Sequence, residues 1–244
     1  MNNAAGPGDT SLLIGVTGHR DLLPDELPAI EEAVRGLLRS AAATSEHSSR
    51  RLVSALAEGA DQLVARVGLD EGWTLIALLP LPVAIYREDF VTPEALRRFD
   101  DLLGRAVESL VMPPTFGGAW DTLPRGDLDR PAHYAAAGSW LARHVNLLIA
   151  VWDGTTTGKT GGTADVVSMR LENRPHHGPG SPTAACPPTG GGVVHILAGR
   201  VSTKPAAAPG TLRLLPDDPR GSACAALRDG LVSWIDRFNA GAER

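Results

Sequence analysis

Lysine is nearly absent from this 244-residue sequence: Lys159 and Lys204 are its only two, and arginine supplies the rest of the positive charge. The 23 basic side chains fall short of the 28 acidic ones, for a net charge of -5. A nonspecific nucleic-acid binder presents a basic face, and the balance argues against a nucleic-acid partner. Aromatic residues make up only 5% of the chain. The core must therefore be aliphatic and alanine-built, and a base-stacking platform for single strands is not expected. The two cysteines, Cys186 and Cys224, lie far apart without metal-ligand spacing, which excludes a disulfide framework and a zinc site. His176 and His177 lack two further ligands, so no metal site is expected. No apolar run approaches the length of a membrane span, and none follows a basic N-terminal segment. The chain is expected to be cytoplasmic, without membrane insertion.

What is present is ordinary globular material, 43% hydrophobic and 21% charged. Met1 to Thr10 reads as a frayed leader. Short aliphatic runs at Ser11–Thr17, Arg51–Leu56, Thr74–Leu79, Glu108–Met112, Val145–Trp152 and Val193–Ala198 read as strands. Helical patterns lie between them: Ile30, Val34, Leu37 and Leu38; Leu63, Val64 and Val67; Leu96, Phe99, Leu102 and Leu103; Pro131 to about His144; and Gly162 to near Asn173. Strands alternating with helices predict an α/β fold, a three-layer α/β/α sandwich with a mostly parallel central sheet. The Pro/Gly-rich stretch 174–192 is expected to be a flexible loop inside a domain spanning 11–200. Residues 201–221 read as a linker, and 222–239 as an amphipathic helix carrying Leu227, Leu231, Trp234, Ile235 and Phe238.

Ligands of open α/β sheets sit beyond the carboxyl ends of the strands, so the strand exits carry the functional reading. The first runs Gly15-Val16-Thr17-Gly18-His19-Arg20, with glycines for close backbone approach and an arginine able to clamp phosphate. An ordinary strand-to-helix turn is the alternative. The second runs Ser54-Ala55-Leu56-Ala57-Glu58-Gly59-Ala60-Asp61. Here Ser54 and Glu58 are candidates for ribose or base contacts, and Asp61 is a candidate helix cap. The fifth runs from Asp153 to Asp165 through a glycine- and hydroxyl-rich loop ending at a helix start, where free N–H groups and the dipole favour an anion. Gly158-Lys159-Thr160 imitates a Walker A loop. The required first glycine, however, falls on Asp153, and the helix does not start at the Lys-Thr pair. Tyr86 is a candidate for base stacking or core packing.

These exits resemble the SLOG superfamily, which includes the Smf/DprA-type proteins and the LOG phosphoribohydrolases. Ser54–Asp61 resembles its S-G-x-A-x-G-x-D stretch, with Ala55 where glycine is usual. Gly161-Gly162-Thr163-Ala164-Asp165 is similar to its Gly-Gly-Thr-x-acid phosphate turn. The likeness runs from Leu12 to Arg174 and implies a Rossmann-like fold that binds nucleotides or their derivatives. It also implies ligand sensing in bacterial antiphage and conflict systems, beside a separate effector protein, and a homo-oligomer; no cofactor is implied. The LOG pattern P-G-G-x-G-T-x-x-E is not reproduced, because its glutamate falls on Val166 and Asp165 is one position early. Smf/DprA relatives bind single-stranded DNA, which the acidic balance here disfavours.

The leading expectation is a sensor of a nucleotide-derived small molecule. Gly161, Gly162 and Thr163 hold phosphate; Thr17, Gly18, His19 and Arg20 close on it; Ser54, Glu58 and Gly59 read sugar or base; and Asp153 holds a ribose hydroxyl or caps its turn. The alternative is a nucleotide N-glycosidase with Glu58 or Asp165 as the catalytic carboxylate. A third is an interaction module with a vestigial pocket. All rest on Arg20, Glu58 and Thr163 lining the rim of one pocket.

Overall fold

Alternate side chains of the central strands enter two different cores, as a sheet covered on both faces requires. Leu75, Ala77 and Leu79 belong to one core while Ile76 and Leu78 belong to the other, and Leu147, Ile149 and Val151 alternate likewise with Leu148, Ala150 and Trp152. The computed structural model describes residues 11–44, 49–115, 118–122, 128–156, 158–172, 192–215 and 225–241. Within them lie β1 (Ser11–Gly18), β2 (Ser49–Ser54), β3 (Thr74–Leu79), β4 (Glu108–Val111), β5 (Leu147–Trp152), β6 (Val193–Leu197) and β7 (Leu212–Leu215). They form one sheet in the order β4-β3-β2-β1-β5-β6-β7. All pairings are parallel except β6 with β7. This is the expected three-layer, Rossmann-like α/β/α sandwich.

The helices are α1 (Leu27–Thr44), α2 (Ala60–Asp70), the single turn α3 (Val83–Tyr86), α4 (Pro93–Arg105), α5 (Arg130–His144), α6 (Thr163–Leu171) and α7 (Ala225–Asn239). One face of the sheet carries α1, α2, α4 and α7 through residues such as Ile30, Val64, Phe99 and Leu231. The other carries α5 and α6 through Ala137, Leu141, Val166 and Val167. Thr92 and Asp129 cap α4 and α5 by accepting from the N–H groups of Ala95 and Ala132. Each cap is followed at once by a residue pair containing proline, the usual opening of a helix. No described helix is long and apolar enough to cross a membrane.

Two expectations need correction. The second strand stops at Ser54 rather than Leu56, because Leu56 adopts a left-handed φ of 57° that no strand accommodates. The stretch 201–221, expected as a linker, contains β7. Its four residues alternate too briefly to register as a pattern, but the Asn239 side chain clamps both backbone groups of Leu212 (Oδ1 to N 3.1 Å, Nδ2 to O 2.8 Å). The C-terminal helix is therefore part of the same core: Trp234 and Phe238 lie over Gly36 of α1, where a Cβ would come within 2.6 Å of the Trp234 ring. The loop expected at 174–192 and the leader at 1–10 lie outside the described residues, apart from Gly192.

Candidate functional site

The strand order reverses between β1 and β5, and the space above that reversal is a cavity of about 400 Å³. That volume is within the range of small-molecule sites, and a switch point of this kind is where open α/β sheets bind ligands. One wall is the exit of β1. Thr17, Gly18, His19 and Arg20 all line the cavity, as the sequence predicts. The backbone of His19 is tied on both sides, donating to Val151 O (2.9 Å) and accepting from Ala60 N (3.0 Å). Its Nε2 lies 3.0 Å from the Asp153 N and 3.3 Å from the Asp153 Oδ1, so the ring is held against the start of the fifth exit. Burial lowers the pKa of His19, with Asp153 opposing and Arg200 reinforcing. Burial thus works against a charged ring here, and the side chain is engaged by Asp153. Asp153 itself does not line the cavity. Its Oδ1 accepts from Thr155 N at 2.8 Å and caps the turn.

The facing wall is the exit of β5 and the start of α6. Gly161, Gly162, Thr163 and Ala164 line the cavity together with Lys159. The N–H groups of the two glycines are not available to a ligand: Gly161 donates to Asp165 Oδ2 (2.8 Å) and Gly162 to Lys159 O (3.2 Å). This corrects the expectation that these glycines hold phosphate. Gly161 is instead needed for packing. Its φ is +72° and a Cβ there would lie 2.7 Å from Ala135 N of α5. The first-turn N–H groups of Thr163 and Ala164 have no partner among the described residues. Gly162, the N-cap, offers no side chain to fill their place.

Several lining groups escaped the sequence reading. Arg200 reaches the cavity from the segment just after β6, held by a 3.0 Å contact of its Nε with Asp21 Oδ1. Tyr134 of α5 lies under Arg20, whose guanidinium carbon is 5.3 Å from the ring centroid, and its hydroxyl donates to Asp89. Tyr86, by contrast a stacking or packing candidate from the sequence, lines the cavity while its ring packs edge-on against Phe90 and Phe99. Trp152 lines it as well, and its Nε1 is buried with no hydrogen-bond partner. Cations outnumber carboxylates here: Arg20, Lys159 and Arg200 face the cavity, against Asp61 alone.

The exit of β2 behaves differently. Ser54 is fully buried and does not line the cavity; its Oγ accepts from Leu56 N (3.0 Å) and donates to Asp61 O (3.3 Å). Asp61 lines the cavity but sits over its own turn. Burial pushes its carboxyl up to about 7, against Arg20 and the N–H groups of Ala57 and Ala55. Gly59 has φ +84° and brings its backbone so close to β1 that a Cβ would lie 2.4 Å from His19 O. Glu58 lines an adjoining groove with Gly59, and Arg20 borders both spaces; Thr92 Oγ1 lies 3.5 Å from Glu58 Oε1. Arg20 and Thr163 therefore share a pocket, and Glu58 does not join them. Of the predicted sugar- and base-reading set, Glu58 and Gly59 meet Arg20 in the adjoining groove while Ser54 is buried away from both, and neither catalytic candidate, Glu58 or Asp165, lines the cavity.

No family model matches the chain, and no curated protein matches it. Among solved structures it is similar to DNA processing protein A (DprA) from Streptococcus pneumoniae, at 18% identity and a TM-score of 0.45, over 93% of this chain and 56% of that one. It is also similar to DNA processing protein A from Helicobacter pylori, at 16% identity and a TM-score of 0.43, over 67% of this chain and 62% of that one. The chain thus spans about three fifths of the length of these structures. Both are of the Smf/DprA type that the strand exits resemble, and the likeness is one of fold. The Helicobacter pylori protein is characterised by a unique single-stranded DNA binding mode. Beside this neighbour, the expectation of no nucleic-acid partner drawn from net charge does not stand. A whole-chain total does not report local charge, and the cavity is cationic within an acidic protein.

Proposed function

We propose that this chain binds a phosphate-bearing, nucleotide-derived small molecule in the cavity above β1 and β5 and serves as its sensor. The observation that carries this reading is the coincidence of three features at the switch point. The cavity has the volume of a small-molecule site, Arg20, Lys159 and Arg200 line it, and the start of α6 leaves the N–H groups of Thr163 and Ala164 uncommitted. A role in bacterial antiphage or conflict signalling, with a separate effector and a homo-oligomeric state, is proposed from the sequence resemblance alone. The apolar face of α7 does not add to it, since Leu231, Trp234 and Phe238 are buried in the core. Turnover of an N-glycosidic bond has less support, because Glu58 faces another groove and an oxygen of Asp165 is engaged by Gly161.

Calorimetric titration of the purified protein with ribonucleoside monophosphates, cyclic nucleotides, ADP-ribose and a short oligodeoxythymidine tests the proposal. Saturable binding of one of the small molecules without released base is expected. Gly162→Asp supplies an N-cap carboxylate where the phosphate is proposed to sit. It should keep or slightly raise thermal stability, by about a few tenths of a kcal/mol, and remove binding. Binding of the oligonucleotide alone, or an unimpaired Gly162→Asp variant, would replace the small-molecule reading.

A further inference from the structure

An arginine paired with a carboxylate commits its donors to that partner, whereas one laid over an aromatic ring keeps them. Arg20 is of the second kind. It is exposed and lines both the cavity and the adjoining groove. Its guanidinium carbon lies over the Tyr134 ring, 5.3 Å from the centroid and within cation–π range. Among the described residues it forms no ion pair with a carboxylate. Asp61, the one carboxylate lining the same cavity, attracts it without pairing and is itself pushed up to about 7 by burial.

Tyr134 is a fixed support. Its hydroxyl donates to Asp89 Oδ2, and the other oxygen of Asp89 accepts from Arg130 Nε at 2.6 Å. The Asp89 side chain is only 8% exposed, so the phenol is tethered to an anchor that is itself held. The base of the same residue braces the opposite wall, since a Cβ at Gly161 would lie 2.9 Å from Tyr134 Cβ. One side chain of α5 thus touches the arginine of the first exit and the turn of the fifth.

We infer that Tyr134 is a positioning residue: its ring holds the Arg20 guanidinium at the cavity with the N–H donors left for an oxyanion of the ligand. The inference rests on the proposed function and names the group recognised. A guanidinium fork grips two oxygens at once, which phosphate and carboxylate provide and a neutral nucleoside does not. Lysine at position 20 would keep the charge but has neither the fork nor a plane to stack. Leucine at position 134 would fill space against α5 but leave the guanidinium unrestrained, and the cost of ordering it would then fall on binding.

The test uses the full chain with ¹⁵N-labelled arginine and three probes: inorganic phosphate, AMP and adenosine. The Arg20 Nε–H resonance, assigned from its absence in Arg20→Lys, should report a restrained side chain in the free protein. It should move on titration with phosphate and AMP and stay in place with adenosine. These readings on the unaltered protein do not depend on a variant folding. Tyr134→Leu should weaken AMP binding about fivefold, the loss expected for one cation–π contact. Tyr134→Phe keeps the ring face and should bind within about twofold of the wild type. In an Arg20→Ala background, Tyr134→Leu should cost no further affinity, whereas a merely structural role would add its loss to that of Arg20→Ala. Additive losses, equal losses in Tyr134→Phe and Tyr134→Leu, or an Arg20 side chain already mobile in the free protein would overturn the role of Tyr134 and leave the proposed function standing. Failure of the wild-type protein to bind either phosphate or AMP would overturn both.

Discussion

The turns after β2 and β5 are built from the same kinds of residue, and the fold uses them in opposite ways. Each carries at least one glycine, a hydroxyl and an acidic side chain at the start of a helix. After β2, these groups bond to one another: Ser54 joins Leu56 N to Asp61 O, and the Asp61 carboxyl faces the N–H groups of Ala55 and Ala57. After β5, the glycine N–H groups are also satisfied internally, but those of Thr163 and Ala164 and the indole of Trp152 are left over. What separates the two turns is therefore the remainder of unpaired donors after local bonds are counted, not composition.

The largest effect that would test this contrast is on stability. Gly59→Val places a branched side chain at φ +84° with its Cβ 2.4 Å from a backbone oxygen, and chemical denaturation should show a loss of about 3 kcal/mol or more. A loss below 1 kcal/mol would mean the β2 turn is not a brace. The pH dependence of Asp61 comes next. Its native pKa of about 7 lies above the ordinary 3.8, so the folded protein holds this proton more tightly than the unfolded chain does. The associated stability is fully present below pH 3.8 and declines as pH rises toward 7. Asp61→Asn should flatten that slope in urea titrations between those pH values, and an unchanged slope would show that the carboxyl is not buried as described. The smallest effect is expected from Glu58→Gln. With its side chain in the α2–α4 groove, ligand affinity measured by calorimetry should change by less than about twofold. A tenfold change would return the second turn to the binding site.

The parts of the fold that could be read directly from the sequence are those where a local pattern and the tertiary environment agree. Thr74–Leu79 and the run ending at Trp152 are aliphatic throughout because both sheet faces are covered, and their boundaries follow. Helices α4 and α5 announce themselves with a capping side chain and a proline. The first and fifth exits could likewise be placed, since the chain order of a parallel sheet puts every strand exit at one edge. Direction could not be read. Nothing local to Glu58 says that it turns toward α4, and nothing local to Gly161 says that Asp165 occupies its N–H. Arg200 was out of reach for another reason: it approaches His19 and Arg20 across about 180 positions of sequence, with no periodicity to signal it.

Glu26 has a consequence for how the pocket comes into being. Its carboxylate is buried and accepts from Gly199 N at 2.7 Å and Ala206 N at 2.6 Å, joining positions 173 and 180 residues apart. Until residue 206 has left the ribosome, that carboxylate has no donors and the wall bearing Arg200 does not exist. A nascent chain can complete β1 through β5 and still lack one wall of the cavity, so the cavity is finished late and all at once. Long-range closure of this sort slows folding, and it ties the shape of the cavity to the integrity of the chain's last third.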